Sequence, residues 1–554
     1  MRRSSLRLIL TFLLLVTMTG HHLAYAGRVV DPKTEQLGLL LTENMELTSM
    51  TSVLYGRSTR SDLDWRICKS ITDSVCTTST QIMIIQFFAL CEKIEDVNCI
   101  EEVWARGPDG SKISGIYQRH LPASGNTDFP AEPTMQLPAS KGNSFVMKFP
   151  SAMHVGKTDD YLVSLRNMTQ IEKGAGESAT NYRLGVQGLI GGITPFELLT
   201  GNYRPITVTE GFGSDGGLRV TPSGDTCFAS DTGVCAAIRP FPKDYRFGLS
   251  IRLSQRLSGW FHGRITAPII TTSFSGDVYR ASIEASPVKV ASLDFLTPTQ
   301  SLSQEIKDMI FNGEEWGVSG NLQGIRITTG LEEDRAQTLL RLFTPHFEDK
   351  ATRTNQYWTI KTLGDFRNDT VRRCTNSSGD LAGAVSTNAL LYSAGPPTFN
   401  PDESSLDYKV AAPHFESDGS EASGTYDLLL RSDVARCIYG FTSAPIKATL
   451  EVLSNDGSTK IASTTITERN GWLVMSAAGF GFSSPIVRAR LTQDAPAPSP
   501  SASPTASPVA SPTPSTAPAV VTKSTKKSIT CIKGTASKKV RAAKPKCPKG
   551  WTKS

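Results

Sequence analysis

Beyond residue 26 the sequence has no apolar run approaching the roughly 20 residues a membrane-spanning helix needs, and no cysteine precedes Cys68. The first absence leaves the mature chain without a helical anchor. The second removes the acceptor for an N-terminal lipid. Histidine is scarce: His120, His154, His262, His346 and His414 are the five beyond residue 26, and no two stand four apart as on a metal-binding helix. The sequence holds no His-Glu-x-x-His, no Gly-x-Ser-x-Gly elbow, no phosphate loop and no dinucleotide fingerprint. No cysteine pair has zinc-knuckle spacing. The local signatures of zinc peptidases, serine hydrolases, nucleotide enzymes and dehydrogenases are therefore missing, and no cofactor or metal is expected.

What is present begins with export. Arg2, Arg3 and Arg7 precede a mostly apolar stretch from Leu8 to Met18, and Ala24-Tyr25-Ala26 offers a small-x-small cleavage site. A signal peptide is predicted over 1–26. Ser5 after the Arg pair favours general secretion over a twin-arginine route. The ten cysteines all lie in the mature part, and their even number suits an oxidising compartment. Sequence neighbours suggest the pairs Cys68 with Cys76, Cys91 with Cys99, Cys227 with Cys235, Cys374 with Cys437, and Cys531 with Cys547. The first four cysteines still permit three connectivities. Chain entropy separates the candidates: a loop of about 9 residues constrains the unfolded chain by roughly 2.5 kcal/mol, and the long 374 to 437 loop by roughly 4 kcal/mol.

Charge divides the chain. Of 58 Lys and Arg, three fall in the signal and eleven between Lys523 and Lys553, so the remaining 44 face 52 Asp and Glu. The body is near −8 and the tail +11, with no acid in the tail. Such asymmetry points to a tail meant for an anionic partner, while the acidic body argues against nucleic acid.

The fold expected is mainly β and multi-domain, because some 470 residues are too many for one core. Residues 27–243 read as an irregular β domain, with strands around Gln81 to Leu90, Ile100 to Ala105 and Tyr161 to Leu165, and a hairpin turn at Gly107-Pro108-Asp109-Gly110. Residues 244–350 read as a middle β domain. Strands at Phe247 to Leu253 and Arg264 to Ser273 flank a Gly-bounded turn holding Trp260 and His262. Two amphipathic helices follow, one capped by Ser301 with Gln304 as its capping-box partner, the other over Leu331 to Phe343 and stopped by Pro345. Residues 351–493 read as an immunoglobulin-like β-sandwich: Ile446, Ala448, Leu450 and Val452 alternate with polar residues, and Asn455-Asp456-Gly457 and Asn470-Gly471 are hairpin turns. Residues 494–522 are a disordered linker, eight of the 24 residues from Ala495 to Pro518 being proline. Residues 523–554 form the basic two-cysteine tail.

In that tail Ile529-Thr530-Cys531-Ile532-Lys533-Gly534, Lys538-Lys539-Val540 and Lys544-Pro545-Lys546-Cys547-Pro548-Lys549-Gly550 resemble the short basic C-terminus of many secreted actinobacterial proteins, themselves uncharacterised. The resemblance covers some 30 residues and implies a secreted or cell-surface protein without implying an activity. Lys533, Lys538, Lys539, Arg541, Lys544 and Lys546 are the candidate attachment residues, with an anionic cell-envelope polymer as the expected partner.

Other chemistry is thinly supported. Ser286-Pro287-Val288-Lys289 matches a Ser-x-x-Lys motif, but in a strand-like context and without companion motifs. Asp159 with Asp160, or Glu314 with Glu315, could be imagined as a glycosidase pair, although adjacent acids usually point apart. Asp215, Asp225 and Asp231 sit in turns without the ordered spacing of a calcium loop. Trp260 and His262 could form a platform for a sugar ring, yet a tryptophan in a β protein is usually core. The reading is a secreted, cell-surface-associated, non-enzymatic binding or structural protein of unknown ligand. The alternative is an extracellular hydrolase, with glycans as one candidate substrate, whose groups meet only in three dimensions.

Overall fold

The structure, a computed structural model, describes residues 28–493 apart from 44–50, 59–64, 175, 211–217, 222–226, 333, 364–370, 372, 375–379, 444, 454–458, 461–462 and 483–485, together with 527–533, 536–542, 546–547 and 551–553. The signal peptide, the Pro-rich linker, the Asn455-Asp456-Gly457 turn, Asp215, Asp225 and Lys544 lie outside these residues. The chain divides into two compact units, 1–495 and 496–554.

The first unit is mainly β, and twenty of its strands belong to one continuous network closed into a barrel. The ring runs through Asp160–Glu172, Gly188–Thr200, Thr359–Leu363, Gly259–Ser275, Val278–Lys289, Arg246–Leu253 and Cys99–Arg106. It returns to Asp160–Glu172 through the segment after Gln81–Phe87, where Phe88 N donates to Leu165 O at 2.8 Å and Ile100 N to Ala89 O at 2.9 Å. Cys91–Cys99 bridges this seam. Period-two alternation brings Phe247, Leu249, Ile251 and Leu253 into one buried cluster with Tyr161, Phe261 and Ile283. The barrel is thus packed solid with side chains, as small barrels are.

A second core lies beside it. Gln36–Leu41 pairs antiparallel with Leu293–Pro298 and parallel with Gly324–Thr328, and the helices Gln304–Ile310 and Asp334–Phe343 bury Ile306, Ile310, Leu339, Leu340 and Phe343 in the same cluster as Leu37, Leu39 and Leu41. That cluster continues between one further sheet and an extension of the barrel network. One contains Ser405–Ala411, Ile486–Gln493 and Ile446–Leu453. The other contains Leu381–Thr387, Gly424–Arg431, Trp472–Phe480 and Ser463–Arg469. Tyr408, Val452 and Val487 of the first meet Tyr426, Leu428 and Met475 of the second, a sandwich core. The three stretches of the body therefore share sheets, since Gly259–Ser275 pairs with both Thr359–Leu363 and Leu381–Thr387.

Local readings shift in three places. Ser303, not Ser301, caps the first helix, its hydroxyl accepting from Ile306 N, because 299–301 winds instead as a 3-10 turn. The sequence pattern gives no sign of the helix at Ser432–Tyr439, which Gly440, in the left-handed region, ends. The Gly-bounded turn around Trp260 is the start of the long strand Gly259–Ser275.

The second unit holds a three-stranded antiparallel sheet with Lys527–Lys533 at its centre, Ala536–Ala542 along one edge and Thr552–Lys553 along the other.

Candidate functional site

The tail candidates sit on this small sheet. Lys533 closes the central strand, and Lys538, Lys539 and Arg541 lie along the edge strand, with Cys531 in register with Lys538 on one side and Lys553 on the other. Lys546 is exposed beside Cys547, which is disulfide-bonded. Apolar alternation in this lysine-rich hairpin is confined to Ile529 and Cys531, so the sequence showed its charge but not its strands. Lysine on an edge strand also discourages pairing with a second chain.

Four cysteine pairs of the first unit join sequence neighbours: Cys68–Cys76, Cys91–Cys99, Cys227–Cys235 and Cys374–Cys437. No cysteine among the described residues is free.

A cleft of about 330 Å³ opens between the start of strand Leu293–Pro298 and the segment from His346 to Thr352. Half-buried Phe295 and Phe347 meet there at 5.2 Å between ring centroids. Asp294 is paired with Arg326, and Glu348 with Lys350 at 2.6 Å. Along this segment, Glu348 and Asp349 both adopt the left-handed conformation (φ 54° and 56°), which side chains disfavour. The Asp349 carboxylate is held by His414, accepting from its backbone N at 3.0 Å through Oδ1 and bonding its Nδ1 through Oδ2. Neither Asp349 nor His414 stood out in the sequence, because 65 residues separate them.

A buried polar group gathers around Arg264, 1% exposed. Its guanidinium donates to Glu43 at 2.6 Å and to the carbonyls of Thr387, Ala389 and Leu390. His262 stacks flat on Tyr392, with centroids 3.8 Å apart and planes 5° from parallel, and its buried Nε2 has no hydrogen-bond partner. Burial, reinforced by the Arg264 and Lys361 charges, pushes the imidazole's basicity well below its ordinary value. Lys361 pairs with Glu332 at 3.3 Å. Trp260 is fully buried too, so neither Trp260 nor His262 is a surface platform for a sugar.

The other candidates resolve locally. Asp159 and Asp160 both bind Lys148, at 2.8 and 3.0 Å, and Glu314 pairs with Arg335 at 3.8 Å. Ser286 to Lys289 is strand. Asp231 accepts from the backbone N of Ala123 at 2.9 Å. His154 is an internal pin, contacting Thr158 Oγ1, Asp160 O and Gly156 N. No group of three metal-ligating side chains occurs among the described residues, and no helix there is long and apolar enough to cross a membrane. No protein-family model matches the chain, and neither does any curated protein or solved structure.

Proposed function

We propose that the chain is an exported, surface-associated, non-enzymatic binding or structural protein, held to anionic cell-envelope polymer by its basic C-terminal unit. One observation carries this: eleven cations and no acid lie in a compact unit of their own, while the body carries an excess of acid. The resemblance of this unit to the C-termini of secreted actinobacterial proteins supports the same setting, as do the disulfides of the body. Several lysines engaging one polyanion displace its counterions together, so attachment weakens steeply with salt. The test is the fraction of protein sedimenting with isolated cell walls as sodium chloride rises, for the full chain and for a chain ending at Thr522. The full chain binds and is released by salt; the shortened one stays in solution. Equal binding by both, or binding indifferent to salt, rejects the anchor.

The Asp349–His414 contact favours a second reading, an extracellular hydrolase, since a carboxylate-oriented imidazole is how many enzymes build a general base. Release of reducing sugar from envelope glycan by the wild type, lost in His414→Gln, would support it; no release by the wild type rejects it for that substrate.

A further inference from the structure

From its geometry we infer that the cleft between Leu293–Pro298 and the His346–Thr352 segment is a binding site for a neutral saccharide. Its size, about 330 Å³, is at the lower end for small-molecule sites, which suits one or two rings. Its chemistry is mixed in a particular way. Phe295 and Phe347 are neighbouring half-buried aromatics in the wall, giving an apolar surface on which a pyranose can lay its C–H face. Around them stand Asp294, Glu348, Lys350 and His346, which provide acceptors and donors at the rim.

Charge narrows the ligand further. Asp294 is matched by Arg326 and Glu348 by Lys350, so the two acids are each neutralised by a cation. A charged ligand of either sign would have to break these pairs, a cation by displacing Arg326 or Lys350 and an anion by drawing Lys350 away from Glu348. A carboxylate engaged with one cation still has lone pairs for hydroxyl donors. A neutral, polyhydroxylated ring with one apolar face satisfies the wall and the rim together. The left-handed pair Glu348 and Asp349, clamped by His414, fixes the backbone that carries Phe347 and Lys350. Strain of this kind is retained where surrounding contacts over-determine it, and it often accompanies binding sites.

The inference concerns the first unit and does not depend on the basic tail. Saccharide binding here is indifferent to salt, whereas wall attachment through the tail is not, so either can fail alone. The experiment uses the full chain and saturation-transfer NMR with N,N′-diacetylchitobiose, cellobiose and maltose as neutral probes, and with digalacturonate and choline as charged ones. At least one neutral probe binds, with a Kd on the order of 1 mM, and the charged probes bind more weakly. Phe347→Ala and Asp294→Asn each weaken that binding at least tenfold, and Lys409→Ala, an exposed change elsewhere, leaves it unaltered. Because Phe347→Ala removes packing, Glu348→Gln serves as the second variant: its side chain is 78% exposed, so the fold survives and only saccharide affinity falls. Absence of binding by all three neutral probes at about 10 mM overturns the inference. So does affinity unchanged in both Phe347→Ala and Glu348→Gln, or a preference for choline or digalacturonate.

Discussion

Replacing Glu284 by Gln should destabilise the body by roughly 2 to 3 kcal/mol at neutral pH, and the loss should vanish in acid. Glu284 lies on the barrel strand Val278–Lys289 and is 8% exposed. Its carboxylate accepts from Trp104 Nε1 at 2.8 Å and Arg106 Nη2 at 2.8 Å, two strands away, and from Arg246 Nε at 3.1 Å on the strand between. Gly248 makes this possible: it stands between Trp104 and Glu284 in the register, and a Cβ there would fall 2.4 Å from the Trp104 ring. Burial alone would raise the Glu284 pKa, but the hydrogen bonds from Arg106, Trp104 and Arg246 hold it at about 2. In an unfolded chain the same group titrates at about 4.3. A depressed carboxylate stabilises the fold fully above its unfolded pKa and loses that contribution as pH falls through the folded one. The drop between those two values corresponds to about 3 kcal/mol, which partly exposed Arg106 and solvent screening reduce somewhat. Urea unfolding followed by tryptophan fluorescence at pH 7, 4 and 2.5 measures the gap between wild type and Glu284→Gln. The gap is full at pH 7, shrinks below about 4.3 and nearly closes by about 2. A gap unchanged from pH 7 to 2.5, or none at pH 7, would refute the electrostatic account.

Three other outcomes follow from the same reasoning. Removing Cys374–Cys437 by double alanine substitution should lower stability by roughly 1.5 kcal/mol more than removing Cys227–Cys235, because the sequence separations are 63 and 8; equal melting shifts would show that buried packing around Cys235 outweighs loop entropy. His262 is held neutral by burial and by Arg264 and Lys361, whereas in the unfolded chain it binds a proton below about 6.5, so stability falls as pH drops from 7 to 5. His262→Phe, which retains the stack on Tyr392, should flatten that part of the stability profile, and an unflattened profile would assign the acid sensitivity elsewhere. Asp427, whose pKa burial raises, accepts from Ser476, Ser386 and Ala267, tying three strands to its own; Asp427→Ala leaves those donors buried and should cost about 3 kcal/mol by denaturant melt.

The sequence reads best where one residue type has one physical use. Neighbouring cysteines found each other, the period-two run from Ile446 to Val452 became a strand burying Ile446, Leu450 and Val452, and Asn470-Gly471 became a turn with both residues at positive φ. Capping went astray by two residues because Ser301 and Ser303 are equally able acceptors, and the winner is settled by where Leu302 is buried. Glycines at 259 and 263 signal a turn around Trp260, yet Gly263 is a flat position between Ile360 and Ser386 of the flanking strands. The cleft and the Asp349–His414 contact could not be read at all: they join residues tens of positions apart, and only tertiary pairing brings them together.

The pairing of Gln36–Leu41 with Gly324–Thr328 sets a timetable. A ribosome adding about 5–20 residues per second needs roughly 15 to 60 s to travel from the first of these strands to the second. Throughout that interval Leu37, Leu39 and Leu41 have no sheet to join on that side, and the barrel cannot be sealed until Thr359–Leu363 has also emerged. The nascent chain must therefore be kept from sticking to its neighbours by something other than its own fold, and its final collapse belongs after synthesis of these strands is complete.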